Sequence, residues 1–362
     1  MNCLSLCMIV KDEEAVLGRC LESLKGAAEE IIVVDTGSAD RTKAIAAGYT
    51  DKIYDFKWND DFSAARNFAV SRATGDYWMW LDADDVLAAD APDKLRELKE
   101  KLPLETDVIM MPYAAAFDGN NRPVFTYYRE RILKNIPRYR FQGRVHEVVV
   151  PSGRIEKAEI LVEHRPGRKK ESDRNLRIYE KMKKGGQPFS SRELYYYGRE
   201  LLEHGRYSEA EEVFSQFLRR PDGWLEDRIE ATRRRAACLK ALDRREEAAE
   251  ALLSSLLLDT PRAETCCALG DYFMEDQNFR QAAWWFEQAL AAEKREDSGA
   301  FIWQDCYGYI PAMNLCVCYD RMNEPERARA YNELAGAYKP DDPAYLSNRN
   351  YFDKKQNMNC GI

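Results

Sequence analysis

The feature that most constrains this chain is a rhythm of short apolar runs. Five of them, at 3–10, 30–35, 52–56, 77–82 and 108–113, are rich in β-branched and aromatic side chains. The segments between them, at 13–25, 40–47, 60–73 and 92–101, have helix-forming composition and one apolar face. Strand alternating with helix predicts an α/β domain whose mostly parallel sheet is covered on both faces. Such a sheet binds ligands beyond the carboxyl ends of its strands, where the connecting loops gather. From 122 to 165 the rhythm lapses. Stretches 122–134, 138–150 and 159–164 read as extended, an antiparallel addition to the sheet or a cover over one end. A charged amphipathic helix follows at 171–184 and stops at Gly185-Gly186.

Past residue 190 the pattern is helical and repeats itself. Short polar turns lead into helices at Ala210, Ala248, Ala282 and Ala328, alanines spaced 38, 34 and 46 residues apart. With Tyr195, Tyr207, Phe214, Tyr272, Phe279 and Phe286 at helical spacing, this period resembles tetratricopeptide repeats, all-α hairpins that bury their apolar faces by stacking. The longest step implies an irregular loop around 299–311, and the tail at 357–362 reads as frayed. The expected organisation is a ligand-binding domain over 1–168, a linker helix over 169–190 and helical repeats over 191–356.

Charge and composition exclude several classes. Sixty-two acids against 54 bases give a net charge of −8 spread along the chain, which disfavours a nucleic-acid or anionic-membrane binder. No apolar run reaches the ~18–20 residues of a membrane span, and the start reads as a buried strand rather than a signal peptide. Ten cysteines with no CxxC pair read as reduced thiols of a cytoplasmic protein.

Three polar clusters lie at strand ends. In Trp78-Met79-Trp80-Leu81-Asp82-Ala83-Asp84-Asp85, extended geometry would point Asp82 and Asp84 to one side. Two adjacent carboxylates beside an apolar sheet call for a cation, and a hard divalent ion would leave sites free for phosphate oxygens. The alternative is a solvated turn with Asp85 or Asp90 capping the next helix. At Asp35-Thr36-Gly37-Ser38-Ala39-Asp40, turn and capping chemistry accounts for all but Asp35, an acid suited to a ribose hydroxyl or a base N–H. Arg66, at a helix start after Asp60-Asp61, would reach a diphosphate or pair with the acids before it. Farther on, alternation through Arg144-Val145-His146-Glu147 would set Arg144 and His146 on one side. Glu147 would then face the less polar side, where desolvation favours a general base. His164 is either a packed histidine or a ligand.

Taken in order, these residues resemble glycosyltransferase family 2, whose members use nucleotide-sugar donors on a GT-A fold. The resemblance runs through Met8-Ile9-Val10-Lys11-Asp12-Glu13, Val33-Val34-Asp35-Thr36-Gly37-Ser38, Ala65-Arg66-Asn67, Asp82-Ala83-Asp84-Asp85 as a DxD motif, and Phe141-Gln142-Gly143-Arg144-Val145-His146-Glu147. With the helical tail, it is similar to the subgroup of peptide S-glycosyltransferases. The resemblance implies that Val10, Lys11, Glu13 and Asp35 line the base and ribose pocket. It gives Arg66, Asp82 and Ala83 to the nucleotide-sugar, Asp84, Asp82 and His164 to Mn²⁺ or Mg²⁺, and Glu147 to the catalytic base. Arg144 and His146 would lie near the acceptor.

The expected activity is metal-dependent, inverting transfer of a sugar from a UDP-type donor to a peptide or protein acceptor. The concave face of the repeats would hold that acceptor, or a second copy of the chain as a homodimer. Two alternatives are a glycosyltransferase acting on a lipid-linked or surface glycan and a non-catalytic nucleotide-binding scaffold.

Overall fold

The computed structural model describes residues 2–103, 105–117, 121, 123–167, 173–295 and 302–359. The chain divides into two compact units, Met1–Pro188 and Phe189–Ile362. In the first, the described residues form a nine-stranded sheet. Strands β1 (Leu4–Val10), β2 (Glu30–Asp35), β3 (Ile53–Asp55) and β4 (Tyr77–Trp80) are parallel neighbours in the order β3-β2-β1-β4. Helices α1 (Leu17–Ser23), α2 (Thr42–Ala46) and α3 (Phe62–Val70) connect them.

Period-two alternation divides each strand between the two faces of the sheet. Leu4, Leu6, Met8, Val33, Tyr77 and Met79 enter a core with Leu17, Leu21 and Leu95 of α4 (Ala91–Lys101). Cys7, Ile32, Val34, Trp78 and Trp80 face the other way, into a core with Ala69, Val70, Tyr139 and Phe141. Beyond β4 the sheet becomes mixed. Short β5 (Asp85–Leu87) leaves the strand end, and β6 (Val108–Phe117) pairs antiparallel with β7 (Pro123–Lys134). β7 is the antiparallel addition expected from 122–134; it lies between β4 and β6, so the run at 108–113 is not a parallel neighbour of the first four. β8 (Ile155–Lys157) and β9 (Val162–His164) run parallel to β6, and β9 pairs antiparallel with β5.

The stretch 138–150 departs from its extended reading. It is irregular apart from one bridge between Gln142 and Val148, and it turns at Gly143 (φ 91°) and His146 (φ 52°). Its partners come from α3 rather than from a strand. Asn67 clasps Phe141 through both its N–H (2.8 Å) and its carbonyl (2.9 Å). Ser63 donates to the Gly143 carbonyl, and Phe62 N–H to the Arg144 carbonyl at 2.9 Å. Helix α5 (Arg174–Lys184), in the stretch read as a linker, falls within the first unit. Buried Tyr179 reaches the Val145 carbonyl, and Lys181 pairs with Asp60 at 2.5 Å.

The second unit consists of helical hairpins. Their helices are α6 (Ser191–Glu203) with α7 (Tyr207–Leu218), α8 (Leu225–Ala241) with α9 (Arg245–Ser254), α10 (Ala263–Glu275) with α11 (Phe279–Ala291), and α12 (Tyr309–Arg321) with α13 (Pro325–Tyr338). α14 (Pro343–Asn359) follows, so the tail read as frayed is helical to Asn359, and 360–362 lie outside the described residues. Each hairpin turns through a left-handed residue at the equivalent position: Gly205, Asp243, Gln277 or Asn323. The alanines read as repeat markers, Ala210, Ala248, Ala282 and Ala328, are all buried. Gly270 shows why small residues recur: a Cβ there would sit 2.6 Å from the Phe286 ring. Of the loop expected at 299–311, residues 299–301 lie outside the described residues, and 304–307 form a short 3-10 turn.

Candidate active site

The functional side chains gather where the parallel strands end. All four residues of β4 are buried, and the chain leaves them through a tight turn rather than an extended segment. The Asp82 carbonyl accepts from Asp85 N–H at 3.0 Å, and Asp85 Oδ2 accepts from Asp82 N–H at 3.0 Å. This closure overturns the expected pairing of Asp82 with Asp84, because alternation requires extended backbone. The three acids separate into two groups instead.

Asp82 faces α3. Arg66 Nη2 donates to it at 2.6 Å, while Arg66 Nε donates to Glu147 at 2.5 Å. The guanidinium lies over the rings of Trp80 and Phe141, and its Nη1 is buried without a hydrogen-bond partner among the described residues. Burial raises the Asp82 carboxyl, but the neighbouring Arg66 outweighs it and holds the group well below the usual carboxylate range. Glu147 thus sits against a cation, which replaces the apolar surroundings expected for it. The alternation from Arg144 to Glu147 fails at His146, whose left-handed backbone resets the direction of the side chains.

Asp84 and Asp85 face β9. The β5–β9 ladder sets Asp85 opposite His164. His164 Nδ1 lies 3.7 Å from Asp85 Oδ1 and 3.8 Å from Asp84 Oδ1. Ligand atoms of all three residues lie within 4.8 Å of one another. His164 Nδ1 and Asp85 Oδ1 are buried with no hydrogen-bond partner among the described residues. The Asp85 carboxylate is the main cause of a raised His164 pKa. Donor atoms around a divalent ion at about 2.1 Å lie roughly 3–4 Å apart, so this separation fits a shared ion. Two carboxylate oxygens and an imidazole nitrogen suit Mn²⁺ and, without the imidazole, Mg²⁺.

The sequence offers Asp85 as a cap or as the last residue of the DxD stretch, and it singles out no role for Arg131. Arg131 is fully buried on β7 between the Trp80 and Tyr113 rings, and its Nη1 lies 3.1 Å from Asp85 Oδ2. Asp85 Oδ2 is therefore committed to the fold, and Oδ1 is left for the cluster. Arg129 also stacks on Trp80. The available signal was an Arg-Glu-Arg triplet within a run of aromatic and branched residues, where a buried cation implies a buried acid.

Asp35 ends β2 at the same edge of the sheet. Its Oδ1 accepts from Gly37 and Ser38 N–H, each at 2.9 Å, and its Oδ2 is buried without a partner. Val10 is buried beside it in register, Lys11 is exposed and Glu13 half-buried. The two strand-end loops are joined by Asp12 N–H to Ser38 Oγ (2.9 Å) and Glu13 N–H to Thr42 Oγ1 (2.7 Å). Ala83 is buried within the turn; Arg144 and His146 are half-buried.

Residues 5–164 match the family model for glycosyl transferase family 2. A TPR repeat-containing protein of Synechococcus elongatus is 42% identical over 40% of this chain and 35% of its own length. The SPbeta prophage-derived glycosyltransferase SunS of Bacillus subtilis is 28% identical over 54% of this chain and 48% of its own. The lipopolysaccharide core biosynthesis glycosyltransferase LpsC of Rhizobium meliloti is 31% identical over 45% and 63%. The matches thus span from about a third to under two thirds of these relatives' lengths. No described helix is long and apolar enough to cross a membrane.

Proposed function

From the premise that its first unit belongs to glycosyltransferase family 2, we propose that this chain is a metal-dependent, inverting glycosyltransferase. It moves a sugar from a UDP-type donor to a peptide or protein acceptor. The observation that carries this reading is the cluster of Asp84, Asp85 and His164 with two buried, unpartnered donor atoms at the end of β4.

Asp84, Asp85 and His164 would hold Mn²⁺, or Mg²⁺ through the carboxylates, and the bound cation would supply Lewis-acid neutralisation of the leaving diphosphate. Asp35 Oδ2 takes a ribose hydroxyl or a base N–H, which satisfies an otherwise costly buried acceptor. Arg66 Nη1 donates to a phosphate oxygen while its other nitrogens keep Asp82 and Glu147 in place. Glu147 accepts the proton of the acceptor O–H or S–H as that atom bonds to the anomeric carbon. The carbon–oxygen bond to the diphosphate breaks on the opposite face. Aligning donor and acceptor provides much of the rate. A thiol needs less help from a base than an alcohol, so Glu147→Gln would cost less activity on a thiol acceptor.

Calorimetry with UDP, with and without Mn²⁺, tests the donor site. Metal-enhanced binding that is lost in Asp84→Ala is the expected result; binding indifferent to metal would leave a nucleotide scaffold and remove the proposal. A hydrolysis screen over UDP- and GDP-sugars then names the donor without an acceptor. The relative named for lipopolysaccharide core biosynthesis favours a second reading, with a glycan acceptor. Transfer to glycans and none to polypeptides would select it.

A further inference from the structure

The second unit contains a cleft that the transfer chemistry does not use. It is a narrow cleft open to solvent, walled by α6, α8 and the start of α10. Four acids line it (Glu226, Asp227, Glu230 and Glu264) with three arginines (Arg233, Arg262 and Arg295). The arginines are already engaged. Arg233 pairs with Glu230 at 2.6 Å, Arg262 with Glu226 at 2.8 Å, and Arg295 with Asp259 at 2.6 Å.

Two carboxylates make no direct ion pair among the described residues, although Arg192, Arg199 and Arg234 draw on Asp227 from farther off and Arg233 on Glu264. Asp227 is only 5% exposed and makes no ion pair among the described residues. Among the described residues, Glu264 accepts only from neutral donors, the Trp303 N–H at 2.8 Å and the Tyr307 hydroxyl at 3.1 Å. Beside them, fully buried Tyr195 lines the same cleft, and its hydroxyl has no hydrogen-bond partner among the described residues. Burial raises both carboxyls, Asp227 to about 6. Buried acids without a direct ion pair, beside a buried hydroxyl without a hydrogen bond, are costly to a fold unless a ligand completes them. An anion would meet those two carboxylates, whereas a cation would satisfy all three groups. Trp224, half exposed at the rim, adds an aromatic surface that favours a positive charge.

We propose that this cleft is a cation subsite that takes a lysine or arginine side chain of a polypeptide. In naming that polypeptide as the acceptor, the proposal rests on the transfer reading above. The cleft then selects acceptors by a basic residue away from the glycosylated one.

The test uses the full chain and three otherwise identical Gly-Ser peptides with one central lysine, norleucine or glutamate, titrated by ligand-observed NMR without donor. The lysine peptide is expected to bind at least about tenfold more tightly than the norleucine peptide, as for a charge-assisted contact. Asp227→Asn and Glu264→Gln should each remove most of that preference, and Asp84→Ala should leave it intact. Equal binding of lysine and norleucine, preference for glutamate, or insensitivity to both variants overturns the subsite. Donor hydrolysis, measured separately, is expected to be unchanged in Asp227→Asn. Its absence from the parent protein would sink the transfer reading while leaving the peptide result standing.

Discussion

Asp85 and Arg131 form an ion pair in which both side chains are fully buried, and this gives a sharp expectation for Asp85→Asn. Asp85 Oδ2 serves two donors, Arg131 Nη1 at 3.1 Å and Asp82 N–H at 3.0 Å. The amide oxygen of asparagine can still accept from one of them, but the charge is gone and Arg131 is left in the interior uncompensated. Breaking a buried pair by removing one partner costs about 3–5 kcal/mol, and the retained acceptor puts this case near 3 kcal/mol. Arg131→Met should cost about as much, since it leaves the converse charge. The double variant should cost much less than the sum, with a coupling of at least about 2 kcal/mol, because neither charge is then alone. Native-state hydrogen exchange of the β4 and β7 amides reads this locally, apart from the second unit. Additive losses, or a single-variant cost below 1 kcal/mol, would refute the assignment of Asp85 Oδ2 to the fold.

Asp227→Asn should stabilise the full chain at pH 7.5 by about 3 kcal/mol, since the folded value near 6 lies about two units above the ordinary one. That cost is absent below about pH 4 and complete above pH 6, so melting curves of parent and variant should converge in acid. At Glu30, burial raises the carboxyl, but Lys52 at 2.5 Å, Ser5 and Thr74 outweigh it and hold it near 2. Its stabilisation is present above about pH 4.5 and lost as pH falls through 2, and Lys52→Met should shift the acid unfolding midpoint upward. Gly270→Ala should cost about 1–3 kcal/mol by forcing Phe286 aside, with partial rescue by Phe286→Leu in thermal melts.

Local pattern was enough for the parallel half of the sheet. The run at 30–35 is β2 residue for residue, and the four repeat alanines follow the four hairpin turns. These features depend on nearest neighbours and on periodicity, which a single sequence carries. The site depended on more. His164 reaches Asp85 only through the β5–β9 register, and Arg131 reaches it only because β7 inserts between β4 and β6. Both are long-range pairings; the Arg-Glu-Arg triplet signals a buried acid near Arg131 without saying which one. The reading of Asp82 with Asp84, and of Arg144 with His146, assumed extended backbone where turns intervene. Asp82, Asp84, Arg66, Glu147 and His164 nonetheless meet at one strand end, although through different partners.

The hairpins of the second unit all reverse through one left-handed residue, and in three of the four it is Asp243, Gln277 or Asn323 rather than glycine. A bend whose conformation is set by its place in the module, and not by one obligatory residue, is a convenient unit of duplication. Whole hairpins can be copied, lost or exchanged during evolution while the aspartates at the end of β4 keep their setting. On the proposed reading, variation in what the protein selects can then accumulate in one part of the gene without disturbing the chemistry encoded in the other.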